Sequence, residues 1–258
     1  MLWGLMALAL LLPSAALGDV DHPTANSETV TPTTETTPET QNVADLLEEA
    51  QNLLSAGNPI DARSKMLRAA QLAPTDYRPQ ILLGSYYLAE VGHFRLALKY
   101  LLRAQQLIRE QVGADRELAT DPEYWKDHAR LLYFLAEAQL NLDDYQSSLD
   151  TLDRFANYYW DDWYPGSRAW VLLKLKRVDD AIRVSQAGLL RGAEPGRTYN
   201  ILGILFSLKD NRKLALQAFG KAIRAERAMG PLGQPATPLN NAGEVYREIF
   251  QDDLAEAS

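Results

Sequence analysis

Cysteine is absent from the 258 residues, which excludes disulfides, thiol catalysis and cysteine metal sites, and is compatible with any redox compartment. Histidine is scarce: His22, His93 and His128 are scattered, and no two have metal-ligand spacing. No glycine-rich phosphate loop ending in Lys-Ser or Lys-Thr occurs, nor any G-x-S-x-G elbow. After residue 18 no apolar run is long enough to span a bilayer. The formal charge is −8, but residues 19–41 hold five acids (Asp19, Asp21, Glu28, Glu35, Glu39) and no Lys or Arg. Elsewhere 26 basic residues face the other 29 of the 34 acids, close to balance. No basic excess points to nucleic acid or an anionic membrane surface. These absences argue against an enzyme, a metal or cofactor site and a nucleic-acid partner.

What is present is a double ladder of small residues. The first runs Ala50, Gly84, Ala136, Ala169, Gly203, Gly243, and the second Ala62, Ala97, Ser148, Ala181, Ala215, Ala255. The first steps by 34, 52, 33, 34 and 40 residues, the second by 35, 51, 33, 34 and 40. Two ladders that move together, insertions included, predict a repeat of paired helices. The clearest unit is 197–227. Tyr199, Leu202, Gly203 and Phe206 share one helical face, a polar break follows at Lys209-Asp210-Asn211-Arg212, and Ala215, Phe219 and Ala222 share the face of a second helix. So short a break admits only an antiparallel neighbour.

The unit resembles the tetratricopeptide repeat, whose period is near 34 and whose signature is large–Leu–Gly–aromatic followed by Ala–Phe–Ala–Pro. Residues 43–258 carry it: Leu46, Ala50, Gly57, Ala62, Met66 and Pro74 in unit one; Leu83, Gly84, Tyr87, Gly92, Ala97 and Leu101 in unit two; Leu135, Ala136, Tyr145, Ser148, Leu152 and Phe155 in unit three. Unit four departs from the signature, with Ser185 and Gly188 where bulk and Ala are usual. The expected fold is an all-α, right-handed superhelical solenoid of antiparallel helix pairs, with about five and a half repeats. Unit six begins at Pro238 and Leu239–Phe250, and its second helix is expected to open near Asp252 and stop at Ser258, as if the array were truncated in its last repeat.

Two segments precede the array. Residues 1–18 read as a signal peptide, with a retained membrane anchor as the alternative: Leu2–Leu12 is apolar, Pro13 breaks it, and small residues follow up to Gly18, although no Lys or Arg precedes the run. Residues 19–41, rich in Thr, Pro and Glu, are expected to form a disordered linker, because they have little apolar surface to bury. No integral membrane domain is expected once the signal is removed.

Between units two and three the 52-residue step predicts a longer helix through Gln111, a break near Gly113, and a new helix opened by Asp121-Pro122 that carries Tyr124, Trp125 and His128. Tyr158-Tyr159-Trp160-Asp161-Asp162-Trp163-Tyr164 is read as an aromatic joint between units three and four, with a glycan-stacking surface as the alternative. Asp143-Asp144, Asp179-Asp180 and Asp252-Asp253 are read as acids at second-helix N-termini, where the helix dipole favours them.

The resemblance implies a concave surface lined by first helices. Here these positions are Leu47, Gln51, Ile81, Ser85, Tyr133, Glu137, Trp170, Lys174, Asn200, Ile204, Ser207, Asn240, Glu244 and Arg247, with Arg197 close by. A lining of mixed polarity suits an extended peptide or a partner helix. Family receptors for a C-terminal carboxylate use Lys and Asn of neighbouring units, for which Lys174 and Asn200 are the candidates. The implied function is a non-enzymatic scaffold for a protein or peptide partner, exported to the periplasm or cell envelope. The alternatives are a recruiting module of an enzyme whose catalytic domain lies beyond Ser258, or a glycan-binding module.

Overall fold

The computed structural model describes residues 42–114 and 121–256. The signal and linker expectations for residues 1–41 lie outside the described residues. Among those described, every regular element is helical. The helices are α1 (Val43–Ser55), α2 (Pro59–Leu72), α3 (Arg78–Ala89), α4 (Phe94–Ala114), α5 (Pro122–Asn141), α6 (Tyr145–Ala156), α7 (Tyr164–Lys174), α8 (Val178–Leu190), α9 (Pro195–Leu208), α10 (Arg212–Ala228) and α11 (Ala236–Glu256), with one 3₁₀ turn at Gly230–Leu232. The chain divides into two compact units, residues 1–134 and 135–258, with the division inside α5. The extended α4 and the opening of α5 at Pro122 agree with the helices expected around the 52-residue step.

The boundaries follow from local chemistry. Side chains of Asn42, Asn58, Asp144, Glu194 and Asn211 accept from first-turn amides of the helices they precede. His93 Nδ1 accepts from the Leu96 amide at the start of α4, and Asp121 from the Glu123 amide at the start of α5. Every turn within a pair has the same construction. A residue in the left-handed region, Gly57, Gly92, Asp143, Lys176 or Asp210, reverses the chain. The amide after it donates back to the carbonyl of Leu53, Tyr87, Gln139, Leu172 or Phe206. Lys176 is the residue least suited to its conformation, at φ 60°. Lys176→Gly is expected to stabilise the chain by about 0.5–1 kcal/mol, read as a higher urea midpoint at unchanged slope.

Ala50, Gly84, Ala136, Ala169 and Gly203 of the first ladder, and Ala62, Ala97, Ser148, Ala181 and Ala215 of the second, are all buried. In the first unit Ala50, Ala62, Met66, Leu83, Tyr87 and Ala97 share one core. Tyr87 stacks on Tyr100 with centroids 5.5 Å apart, and its hydroxyl accepts from Arg63 Nε at 2.8 Å. In the second unit the Ser148 hydroxyl donates to the Ala136 carbonyl at 2.8 Å, so the one polar ladder residue bonds across its own crossing. The departure in unit four has a cause. A Cβ on Gly188 would lie 2.3 Å from Pro165 Cβ, so the glycine makes room for a proline of α7. Ser185 is buried and returns its hydroxyl to the Ala181 carbonyl at 2.9 Å.

Unit six differs from expectation. No turn forms near Asp252; α11 runs unbroken from Ala236 to Glu256. Asp252-Asp253 therefore lies within a helix, not at the start of one, and Ala255 does not sit on a second helix. Asp252 pairs with Arg212 Nη1 at 2.6 Å. The physical reason is local: residues 251–256 contain no Gly or Pro to break the helix, so its backbone hydrogen bonding continues past Phe250. Among the described residues the helices form five pairs followed by α11.

Candidate functional site

In the second unit, polar side chains on the first helices of three successive pairs are buried or half-buried. Glu137 comes from α5, Ser167 from α7, and Arg197 and Thr198 from α9. Glu137, Ser167 and Thr198 are buried and Arg197 is half-buried. Local sequence makes the room: Gly166 has no side chain, and a Cβ there would sit 3.5 Å from Arg197 Cδ and 3.6 Å from Thr198 Oγ1. Glu194 caps α9 by accepting from the Gly196 and Arg197 amides at 2.6 and 2.8 Å, which fixes the direction in which Arg197 leaves the helix.

Burial pushes the Glu137 carboxyl above the usual carboxylate range. The Arg197 charge opposes this without overcoming it. Among the described residues, neither the Ser167 nor the Thr198 hydroxyl has a partner in hydrogen-bonding geometry. A buried carboxyl beside a guanidinium is a poor means of gaining stability, and such groups concentrate where a surface has work to do.

The structure sorts the expected groove residues. Ile81 and Ser85 are buried in the first unit, and the Ser85 hydroxyl is returned to the Leu82 carbonyl at 2.9 Å. Glu137 is buried in the second unit. All three lie within the packing, next to or one turn from a ladder residue where helices approach closely. Tyr133 is half-buried against the ring of Phe134. Trp170 is half-buried, with the exposed Lys174 ammonium 5.0 Å from its ring centroid. Asn200 Oδ1 accepts from Asn241 Nδ2 at 2.9 Å. Ile204 packs on the cluster of Ala215, Phe219 and Val245. Asn240 and Arg247 are exposed, and Arg247 is paired with Glu244. Of the two residues expected for a carboxylate clamp, Lys174 lies against the Trp170 ring and Asn200 bonds to Asn241. Sequence reading missed Ser167, Thr198 and Asn241. The signal available was the small run Pro165-Gly166-Ser167, which opens space for Arg197.

The aromatic segment is largely a joint. Phe155 packs on Tyr159, Trp163 and Tyr164, with centroids 5.1, 4.8 and 5.6 Å away. Trp160 lies under the Arg191 guanidinium at 3.8 Å, and the Glu194 amide donates to the Asp162 carbonyl at 3.0 Å. Tyr158 and Trp160 are the exposed rings of the segment.

The first unit holds a cleft of about 350 Å³ lined by Asp76, Tyr77, Arg78, Gln111, Glu123 and Asp127 among others. Gln111 Nε2 closes one side on the Thr75 carbonyl at 2.6 Å. Burial pushes the Asp127 carboxyl up to about 6, against the nearby Arg130 and Arg78 charges. A carboxyl raised in the folded state keeps its proton to higher pH than in the unfolded chain. Its contribution to stability is therefore present at acidic pH and lost as pH rises through about 6. Asp127→Asn is expected to flatten that slope and add about 2 kcal/mol near neutrality, measured by urea unfolding across that range.

Among the described residues, no group of three or more His, Asp or Glu side chains could hold a metal ion, and no helix is long and apolar enough to cross a membrane. No family model matches the chain, and no curated protein matches it in sequence. Solved structures do match in fold. Residues 41 to the end of MamA from Desulfovibrio magneticus RS-1 align at a TM-score of 0.59 and 18% identity, covering 73% of this chain and 97% of that one. YrrB, described as a TPR protein with an unusual peptide-binding site, aligns at 0.55 and 17%, covering 72% and 87%. A further MamA structure aligns at 0.53 and 20%, covering 70% and 95%. At these identities the likeness is one of fold, and the chain has the fold of tetratricopeptide-repeat proteins.

Proposed function

We propose that this chain, with its tetratricopeptide-repeat fold, is a non-catalytic scaffold that holds a peptide or a segment of a partner protein on the first helices of its second unit. The observation that carries the reading is the half-buried Trp170 ring with the exposed Lys174 ammonium 5.0 Å from its centroid, in the same unit as the Asn200–Asn241 pair. The buried Glu137 carboxyl, raised by desolvation against the Arg197 charge, is costly for stability alone. Trp170 offers a ring face, Lys174 a charge and the Asn200–Asn241 pair amide groups, a combination suited to an extended backbone with one apolar anchor. YrrB's description as a peptide-binding TPR protein supports the class of partner.

Export is a separate part of the proposal and rests on residues 2–18. Mass spectrometry of the protein from its native source is expected to find a mature N-terminus at Asp19, and retention of residues 1–18 would remove this part.

Selection of a random peptide library on the wild-type chain and on Trp170→Glu tests the groove. Enriched peptides are expected to lose at least about ten-fold in affinity for the variant, at unchanged helical content by circular dichroism. Equal binding by both chains would mean that the first helices are not the site.

A further inference from the structure

The cleft of the first unit holds two carboxyls in opposite conditions. Asp76 is saturated. Arg78 Nε lies 3.1 and 3.0 Å from its two oxygens, Arg78 Nη2 donates to Oδ2 at 2.6 Å, and the Arg78 amide donates to Oδ1 at 2.8 Å. Asp127 is not. Its side chain is only 17% exposed, and among the described residues its ion-pair partner is Arg130, whose Nη1 stands 3.6 Å away, outside hydrogen-bond range. Tyr77 lines the same cleft and is only 9% exposed. Among the described residues its hydroxyl has no hydrogen-bond partner, although buried phenols usually find one. Burial and the Asp127 charge push that phenol up, which keeps it a neutral hydroxyl.

A group that carries positive charge and several donors would complete this arrangement. Asp121 and Glu123 also line the cleft, so its acids outnumber its one cation, Arg78, by four to one. The acids do not converge on a point: among the described residues no group of three or more could hold a metal ion. A divalent cation needs its oxygens within about 2.6 Å. A guanidinium does not, because its donors spread over a planar fork. It also gives up water more readily than an ammonium, which suits a largely buried carboxylate. The chain makes both halves of such a contact elsewhere in this unit. Asp76 holds Arg78 through two nitrogens, and the Tyr87 hydroxyl accepts from Arg63 Nε at 2.8 Å.

We propose that this cleft takes the guanidinium of an arginine side chain from a partner protein, with the Asp127 carboxylate accepting two of its N–H groups and the Tyr77 hydroxyl a third. A volume of about 350 Å³ has room for one such side chain and not for a folded segment. An arginine within a chain fits better than the free amino acid, whose α-carboxylate would enter an acidic surround. The guanidinium requires ionised Asp127, so affinity rises with pH through about 6 and levels off above it. The other charged or titratable groups facing Asp127 are Asp76, Tyr77 and Arg78 at the start of α3 and Asp121, Glu123 and Arg130 at the start of α5. From α4 comes the uncharged Gln111. The cleft shares no residue with Trp170, Lys174 or Asn200, so this inference and the groove reading fail independently.

The probe is N-acetyl-arginine N-methylamide, titrated into the ¹⁵N-labelled full chain and followed by amide chemical shifts. Saturable shifts are expected at residues 76–78 and 123–127, with a dissociation constant at or below about 5 mM. Asp127→Asn keeps the shape of the side chain and should lose at least about ten-fold in affinity. Tyr77→Phe should lose about three-fold or more, and unchanged circular dichroism spectra would exclude misfolding of either variant. Affinity at about pH 7.5 should exceed that at about pH 5 by roughly ten-fold, and the Asp127→Asn chain should lack this dependence. No saturable shift up to about 50 mM, or equal affinity for the wild-type and Asp127→Asn chains, overturns the proposal. Equal affinity for the corresponding capped lysine would mean that the cleft reads charge alone and would overturn the guanidinium. Tighter binding of free L-arginine than of the capped form would overturn the partner protein.

Discussion

Arg197→Met is expected to destabilise the second unit by about 3 kcal/mol near neutral pH, and by distinctly less at about pH 4, the ordinary range for a glutamate. Met keeps the aliphatic stem that lies over Gly166 and removes only the charge. Glu137 is then a buried carboxylate without the opposing Arg197 charge. Its pKa, already raised by burial, rises further. The native state then holds a proton that the unfolded chain has released, so stability falls as pH rises above the ordinary glutamate range. At acidic pH the carboxyl is neutral in both states, and losing Arg197 matters less. Glu137→Gln should act in the opposite sense near neutrality, removing the desolvation cost of the carboxylate and flattening the slope. The two substitutions together should cost less than Arg197→Met alone, because they share one interaction. Urea unfolding of the four chains at two pH values would measure all of this. Equal losses for Arg197→Met at both values would mean that the guanidinium acts by packing and not by charge.

Two glycines of the same ladder are expected to respond to alanine with opposite sign. Gly203→Ala places a methyl group 2.3–2.7 Å from three ring atoms of Phe219, a fully buried side chain in the core shared with Ala215 and Val245. A ring has no flexible end to move aside, so α9 and α10 must separate. The overpacking cost of about 1–3 kcal/mol exceeds the gain of up to about 1 kcal/mol from helix propensity. Gly243→Ala meets open space, so propensity acts alone and the variant should be more stable than wild type by about 0.5–1 kcal/mol. Thermal unfolding of both variants reads the difference directly. A stabilised Gly203→Ala would mean that the Phe219 ring can leave its place, and that the ladder glycines are not selected for contact.

The repeat was readable before any coordinates because small residues at a helix crossing obey a spacing that insertions cannot disguise. Each insertion shifts both ladders together, as the 52- and 51-residue steps around α4 and α5 show. The turns were readable as polar breaks. That Asp143, Lys176 and Asp210 adopt the conformation taken by Gly57 and Gly92 was not readable, because it is the returning second helix that forces it. Unit four looked weak because its signature was judged one residue at a time. Pro165 and Gly188 are a matched pair, and only their contact shows it.

The candidate site was legible in outline. Glu137 and Arg197 stood among the expected residues, but as members of a surface. Helical position places a side chain on a face to within about one residue in 3.6, which is too coarse to separate a wall from the layer beneath it. The tertiary structure puts Ile81, Ser85 and Glu137 below the surface and brings Glu137, Ser167 and Arg197 together across three helices. The end of the array divides in the same way. Sequence periodicity determined that Leu239–Phe250 is a helix of the repeat, because its apolar spacing is a property of the segment itself. Whether the chain turns back after it depends on the following residues and what they meet. The tertiary structure decided that: Asp252 meets Arg212, and α11 continues to Glu256.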